Sequence, residues 1–218
     1  MKTSERERRQ AELLQALRGF DRAQEQGLNG WMAGVDEAGR GPLAGPVVAA
    51  AAVVLYPEAL RGANDSKKLS ASRRKDLYKR IARSCLVGIG VVEEGQIDAI
   101  NIYEATRLAM KKAVWNLPHT PGLLLIDGNM RLDLPLEQKS VIGGDQKSLS
   151  IAAASIVAKV FRDHWMCRLH ERYPQYAFAT HKGYGTASHL KALREMGPSP
   201  VHRRSFAPVR EATLAACP

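Results

Sequence analysis

The stretch Val35-Asp36-Glu37-Ala38-Gly39-Arg40-Gly41-Pro42, which leads into the apolar block Val47 to Leu55, limits what this chain can become more than any other. Two carboxylates stand side by side in a segment whose neighbours call for burial. Taking such charges out of water is expensive unless something compensates them. A bound cation is the usual compensation where a site is built to hold charge. The glycines that follow let backbone come close to a ligand. Arg40, set between two of them, presents a guanidinium beside accessible backbone N–H groups, a pairing that suits phosphate.

The surrounding pattern predicts an α/β fold. Thr3 to Gln26 reads as a polar helix with a narrow stripe of Leu13, Leu14, Leu17 and Phe20. Met32 to Glu37 and Pro46 to Leu55 read as strands that pair antiparallel across a tight Gly-Pro link, the second buried on both faces. Ser70 is an N-cap for a basic helix from Ala71 to Ser84, and Leu86 to Val92 is a third strand interrupted by Gly88 and Gly90. A helix follows from Gly95 to Asn116, then a buried strand Leu123 to Ile126 and a shorter one from Ser140 to Asp145. A long helix runs from Leu149 to Arg172, and the tail carries one helix, Ala187 to Met196. This order predicts a mixed sheet, with a meander at one side and parallel strands at the other.

In such sheets, sites form at the carboxyl ends of parallel strands. Asp127 and Asp145 each follow a predicted strand directly, and Asp36 and Glu37 lie at the end of the first. One Asp after a strand is as readily a turn residue; convergence of several carboxylates is what points to a site. Hard oxygen ligands suit Mg²⁺ or Mn²⁺, and with no His or Cys in these clusters zinc is disfavoured. Two metals in such a cluster would clamp a scissile phosphate. Adjacent strand residues face opposite sides, so either the backbone bends at Glu37 or its side chain reaches around the strand end. Asp163 sits too far along the long helix, about 20 Å from its start, and is read as structural.

Charge supplies the substrate class. Lys and Arg number 32 against 22 Asp and Glu, a net +10 that favours polyanions. Together with the carboxylates, this points to hydrolysis of a nucleic acid. The three cysteines, Cys85, Cys167 and Cys217, are far apart and suit a reducing cytoplasm, where the protein is expected. The longest apolar run is far short of the roughly 20 residues of a spanning helix, and the charged N-terminus is not a secretory signal. No membrane association is expected.

At this point the residues resemble a known family. VDEAGRGPLAGPVV (Val35 to Val48) is similar to the signature of bacterial ribonuclease HII. The resemblance continues through NDSKKL (Asn64 to Leu69), IDGN (Ile126 to Asn129), Gly144-Asp145, AAASIVAKVFRD (Ala152 to Asp163), HKGYGT (His181 to Thr186) and HRRSFAPV (His202 to Val209). It implies a ribonuclease H-like five-stranded mixed sheet flanked by helices, with a small helical C-terminal extension. The implied organisation is an N-terminal helical extension (1–30), a catalytic domain (31–175) and a substrate-binding C-terminal part (176–218).

The resemblance also implies endonucleolytic cleavage of RNA in RNA–DNA hybrids and 5′ of single ribonucleotides in duplex DNA, leaving 5′-phosphate and 3′-hydroxyl ends. Two Mn²⁺ or Mg²⁺ ions would be held by Asp36, Glu37, Asp127 and Asp145. Asp36 would bridge both ions, Glu37 and Asp127 would hold the one on the leaving-group side, and Asp145 the one that activates water. Gly39, Arg40 and Gly41 would contact the 2′-hydroxyl, the group that separates RNA from DNA, and Tyr184 would stack on the sugar at the junction. Lys67, Lys68, Lys147 and Lys182 are phosphate candidates, and His181 is read as local support for Tyr184.

The sister family, ribonuclease HIII, is disfavoured by the short N-terminal extension and by Asp rather than Glu at the fourth position. The intact carboxylate set speaks against a non-catalytic binding protein, and the basic excess with the Tyr184 segment against a small-molecule phosphatase. With no clamp-binding Q-x-x-L-x-x-F-F-like segment, no protein partner is expected, and the chain is expected to be a monomer.

Overall fold

The computed structural model describes residues 2–63, 66 and 69–215; Lys67 and Lys68, named above as phosphate contacts, lie outside the described residues, as does Cys217. The sheet is assembled from β1 (Met32–Ala38), β2 (Val47–Val54), β3 (Cys85–Val92), β4 (Leu123–Asp127) and β5 (Glu137–Val141), in the order β3-β2-β1-β4-β5. Antiparallel pairing joins β1 to β2 and β2 to β3, while β4 runs parallel to both β1 and β5. The meander and the parallel half meet at β1, the central strand and the one that carries Asp36 and Glu37.

Helices cover both faces. On one side α3 (Glu94–Trp115) packs on Val47, Ala49, Ala51 and Val53; on the other, α2 (Ala71–Ser84) and α4 (Leu149–Arg172) pack on Val48, Ala50 and Ala52. The small side chains of β2 allow this double burial, and the glycines of β3 allow more. A Cβ on Gly88 or Gly90 would lie 2.1 or 2.0 Å from the carbonyl oxygens of Ala113 or Ala109 on α3. These glycines therefore do not interrupt β3; they admit the helix backbone. Ser70 caps α2 by accepting from Arg73 N–H, and Ser148 caps α4 by accepting from Ile151 N–H at 3.2 Å.

The first helix, α1 (Lys2–Glu25), buries Leu14 and Leu17 against α2 and α4. It also sends Asp21 to the start of α4, where Oδ2 accepts from Ser150 N–H at 2.9 Å. No helix among the described residues is long and apolar enough to cross a membrane.

Three expectations need correction. The fifth strand is Glu137–Val141, not Ser140 to Asp145. It is an edge strand with polar, exposed residues, so it carries no apolar signal, while Ile142 beyond it is 74% exposed. Gly143 (φ 64°) then turns the chain, and Asp145 sits in a short 3₁₀ turn, Gly144–Gln146. Second, α3 is broken at Asn101 (φ 66°, ψ 165°), whose Oδ1 accepts from the N–H groups of Tyr103 and Glu104 and caps the second half. Third, the tail holds α5 (Phe178–His181) and α7 (Ala207–Ala215) besides α6 (Ala187–Met196). Pro208 falls in the first turn of α7, where a missing N–H is harmless.

Candidate active site

Asp36, Glu37, Asp127 and Asp145 line one cavity of about 620 Å³, and Gly39, Arg40, Gly41 and Tyr184 line it with them. The strand geometry explains how Asp36 and Glu37 share it. Gly34 lies against α4, close enough that a Cβ would fall 2.2 Å from Ile151 N. Asp36, two residues on, faces α4, whereas Glu37 faces the α3 side with Ala33 and Val35. The backbone does not bend: pairing with β2 stays regular through Asp36–Ala50, Glu37–Ala49 and Ala38–Val48. Pairing with β4, however, ends at Val35–Ile126. Beyond it the β4-facing edge of β1 is open, and the two side chains reach the same notch from opposite faces.

Local hydrogen bonds fix the other carboxylates. Asp127, the last residue of β4, accepts from Gly144 N–H at 2.6 Å through Oδ1, which ties it to the turn that carries Asp145. Gly144 has no room for a side chain, since a Cβ would sit 2.5 Å from Ile151 Cδ1. Asp36 Oδ1 accepts from the Glu37 N–H at 2.7 Å, and the Ser155 hydroxyl on α4 also supports its charge. Ser155 in turn lies 3.0 Å from Ser66 Oγ, so the polar loop before α2 is linked to Asp36 through two hydroxyls.

The electrostatics are those of buried carboxylates crowded by like charges. Burial first, then the charges of Glu37 and Asp127, push the Asp36 carboxyl well above the usual carboxylate range. Burial also raises Glu37; the Arg40 guanidinium, 3.4 Å from its Oε1, opposes this, and Asp127 adds to it. Among the described residues no three Asp, Glu, His or Cys side chains are drawn together tightly enough to form a ready-made metal cage. The donor set, carboxylates alone, fits a hard divalent cation.

The loop after Glu37 is held from below. Arg162 of α4 and Arg203 of the tail are 1% and 0% exposed, and both donate to its carbonyl oxygens. Tyr184 is half exposed, with its ring against Gly41, where a Cβ would lie 3.8 Å from Cε1. Its turn is set by histidines. Tyr184 N–H donates to the His181 carbonyl at 3.0 Å, and His189 Nδ1 lies 2.9 Å from the Tyr184 carbonyl. His189 Nε2 meets His202 Nε2 at 3.0 Å, and His202 Nδ1 accepts from Ser199 N–H.

That last bond fixes the rest of the chain: His202 must carry its proton on Nε2 and donate to His189, which then donates from Nδ1 to Tyr184. His181 supports Tyr184, as read from the sequence, but His189 and His202 share the task. Their partners are backbone groups, the Ser199 hydroxyl and each other, so no local motif announces them.

Of the lysines, Lys182 turns inward, its Nζ donating to the Ala179 carbonyl at 2.5 Å, and Lys147 is exposed; neither lines the cavity. Lys159 does, from α4. Asp163, set aside from the site, pairs with Lys159 at 2.7 Å.

The mixed sheet, its central strand ending in paired carboxylates, defines a ribonuclease H-like hydrolase. A ribonuclease H2 of Pyrococcus horikoshii has the same fold, with a TM-score of 0.75 and 26% identity over 84% of this chain and 97% of that one. The Bst ribonuclease HIII crystallised with Mn²⁺ matches with a TM-score of 0.70 over 85% of this chain and 70% of that one, and at 19% identity the likeness is one of fold. The ribonuclease HII family model matches residues 33–209, and the ribonuclease HII of Bacillus licheniformis is 50% identical over 211 residues, 96% of this chain and 82% of that protein. The chain belongs to the ribonuclease HII family.

Proposed function

We propose that this cavity is the active site of an endonuclease that hydrolyses the RNA strand of RNA–DNA hybrids and cuts 5′ of single ribonucleotides embedded in duplex DNA. The observation that carries this reading is the convergence of four carboxylates, the Gly39-Arg40-Gly41 loop and Tyr184 on one cavity. Asp36, Glu37, Asp127 and Asp145 would hold two Mn²⁺ or Mg²⁺ ions. When bound, such ions polarise phosphoryl oxygens and lower the pKa of water, which yields 5′-phosphate and 3′-hydroxyl ends.

The chain's own residues do the rest. The loop is positioned to read the 2′-hydroxyl, and Arg40, half exposed beside Glu37, to meet a phosphate. The exposed ring of Tyr184, across from Gly41, offers a face for a sugar at the RNA–DNA junction. The net +10 supports binding of a long polyanion.

The test is incubation with Mn²⁺ and a DNA duplex containing one ribonucleotide. The protein should cut on its 5′ side, and Asp36→Asn should bind without cutting; equal cutting by both would show the site to be misassigned. Tyr184→Ala should weaken junction cleavage more than hybrid binding, and equal losses would remove the stacking role.

A further inference from the structure

Among the described residues two arginines are the largest fully buried side chains, and neither pairs with a carboxylate within 4.0 Å. Their acceptors are backbone carbonyls. Arg203 donates through Nε to Gly45 (2.9 Å), Nη1 to Arg40 (3.0 Å) and Nη2 to Gly39 (2.6 Å). Arg162 donates through Nε to Pro46 (2.9 Å), Nη2 to Ala44 (3.1 Å) and Nη1 to Lys182 (3.0 Å). Five of these six carbonyls belong to the segment between Gly39 and Pro46. The sixth belongs to the turn that presents Tyr184.

A buried charge without a counter-charge is a poor stabiliser, because desolvation is not recovered by pairing. Burial pulls the two guanidiniums down to about 10 (Arg162) and about 9 (Arg203), which leaves both charged at neutral pH. Glu94 is near enough to be felt by each, yet makes no ion pair with either. An apolar core would fill this volume at lower cost. What a guanidinium adds is a rigid planar fork that fixes several carbonyls at once.

The carbonyls of Gly39 and Arg40 thus point inward, while among the described residues the N–H groups of Gly39, Arg40 and Gly41 meet no acceptor. Gly39, Arg40 and Gly41 line the cavity. Arg162 also requires Gly39 to be a glycine, since a Cβ there would lie 2.0 Å from its Nε.

We infer that Arg162 and Arg203 are positioning residues for ribonucleotide recognition: they clamp the carbonyl side of the Gly39–Pro46 loop so that its N–H side is presented, preformed, to the sugar-phosphate at the cut. This rests on the active-site reading above. Arg162 couples the loop to Tyr184, and Arg203 couples it to the C-terminal part, so the two contacts to one ribonucleotide are held by a single buried frame.

The experiment uses Arg203→Lys and Arg162→Lys, which keep the charge and lose the fork, with Arg203→Gln as a neutral companion. Three quantities are read: cleavage of a duplex with one ribonucleotide, binding of the same duplex made entirely of DNA, and amide hydrogen exchange at residues 39–41. The Lys variants should lose roughly 100-fold in kcat, the scale of a slightly misplaced reacting group. KM and all-DNA binding should stay unchanged, and exchange should quicken at 39–41 but not in α4. Lys variants with wild-type kcat and wild-type exchange would overturn the inference, as would an equal loss of all-DNA binding or exchange that quickens throughout. Should the wild type cut nothing, the active-site reading fails, and the exchange data still decide whether the two arginines hold the loop.

Discussion

The two walls of the cavity bury charge of opposite sign and treat it in opposite ways. On the strand side, Asp36 and Glu37 are raised by burial and by like-charged neighbours, and the partly exposed Arg40 offsets this only at Glu37 among the described residues. On the loop side, Arg162 and Arg203 each seat all three guanidinium nitrogens on carbonyls within 3.1 Å. The strand wall is complete only with something added, and the loop wall is complete already. The two sets do not neutralise each other, although both border one cavity. A wall that must accept cations keeps its charge unsatisfied; a wall that must hold a shape spends its charge on internal bonds.

The sharpest way to break this contrast is to neutralise one member of the strand wall. Asp36→Asn should lower cleavage by roughly 10³-fold or more, since metal-assisted charge stabilisation is worth several kcal/mol. Without divalent ions the same variant should melt at a higher temperature than wild type, because it removes a buried charge that its neighbours repel. Mn²⁺ should raise the melting temperature of wild type and have little effect on the variant. A variant that melts lower than wild type in EDTA would mean that the carboxylates are not strained as the geometry indicates.

Two glycines that follow site residues give the next test. Gly39 and Gly128 both have positive φ, 97° and 79°. At Gly39 an added Cβ meets Arg162, while at Gly128 nothing lies within 4 Å. Gly128→Ala should cost only about 1–2 kcal/mol, the left-handed penalty alone. Gly39→Ala should cost more and should also lower cleavage by roughly 100-fold by displacing the loop. Chemical denaturation with a cleavage assay separates the two. Equal effects at the two positions would show that the loop wall tolerates displacement.

Much of this was legible because it was written in side-chain type and spacing. The paired acids, the buried run of β2 and the cap Ser70 each advertise themselves, and α2, α4 and α6 fall where periodicity puts them. The fifth strand was misplaced because its residues answer to solvent at a sheet edge rather than to a core. The arginine frame was unreadable for a different reason. Its partners are carbonyl oxygens, which every residue possesses, so no co-occurring acid marks Arg162 or Arg203. The same holds for the chain His202–His189–Tyr184. How Glu37 joins Asp36 depended on where β4 stops pairing, a property of register and not of either residue.

That histidine chain predicts the pH response of the loop wall. Burial first, then the neighbouring His189, pull His202 from 6.5 down to about 3, and burial lowers His189 and His181 as well. These rings are neutral in the fold and take up protons when unfolded. Their contribution is therefore full above pH 6.5 and is lost as pH falls below it; for His202 the loss continues toward 3, at about 1.4 kcal/mol per pH unit. A neutral His202→Gln variant should flatten that slope in denaturation measured from pH 7 to pH 4. An unchanged slope would mean that the rings are not held neutral.

Asp21 supplies a response of opposite sign at the start of α4, and a smaller one. Burial raises its carboxyl from 3.8 to about 6, against the bonds from Ser148 and Ser150 that lower it. A raised acid is most favourable to the fold when protonated. Its contribution is thus full below pH 3.8 and is lost as pH rises through about 6. Asp21→Asn keeps an acceptor for Ser150 N–H and cannot ionise, so above pH 6 it should be at least as stable as wild type, while at pH 4 the two should match. The readout is denaturant midpoint at pH 4 and pH 8. If the variant is weaker at pH 8, the charge of Asp21 at the start of α4 outweighs its burial, and α1 is held by a helix-dipole contact. In that case the N-terminal helix would share the logic of the loop wall, with a buried charge satisfied by backbone, rather than that of the carboxylate wall.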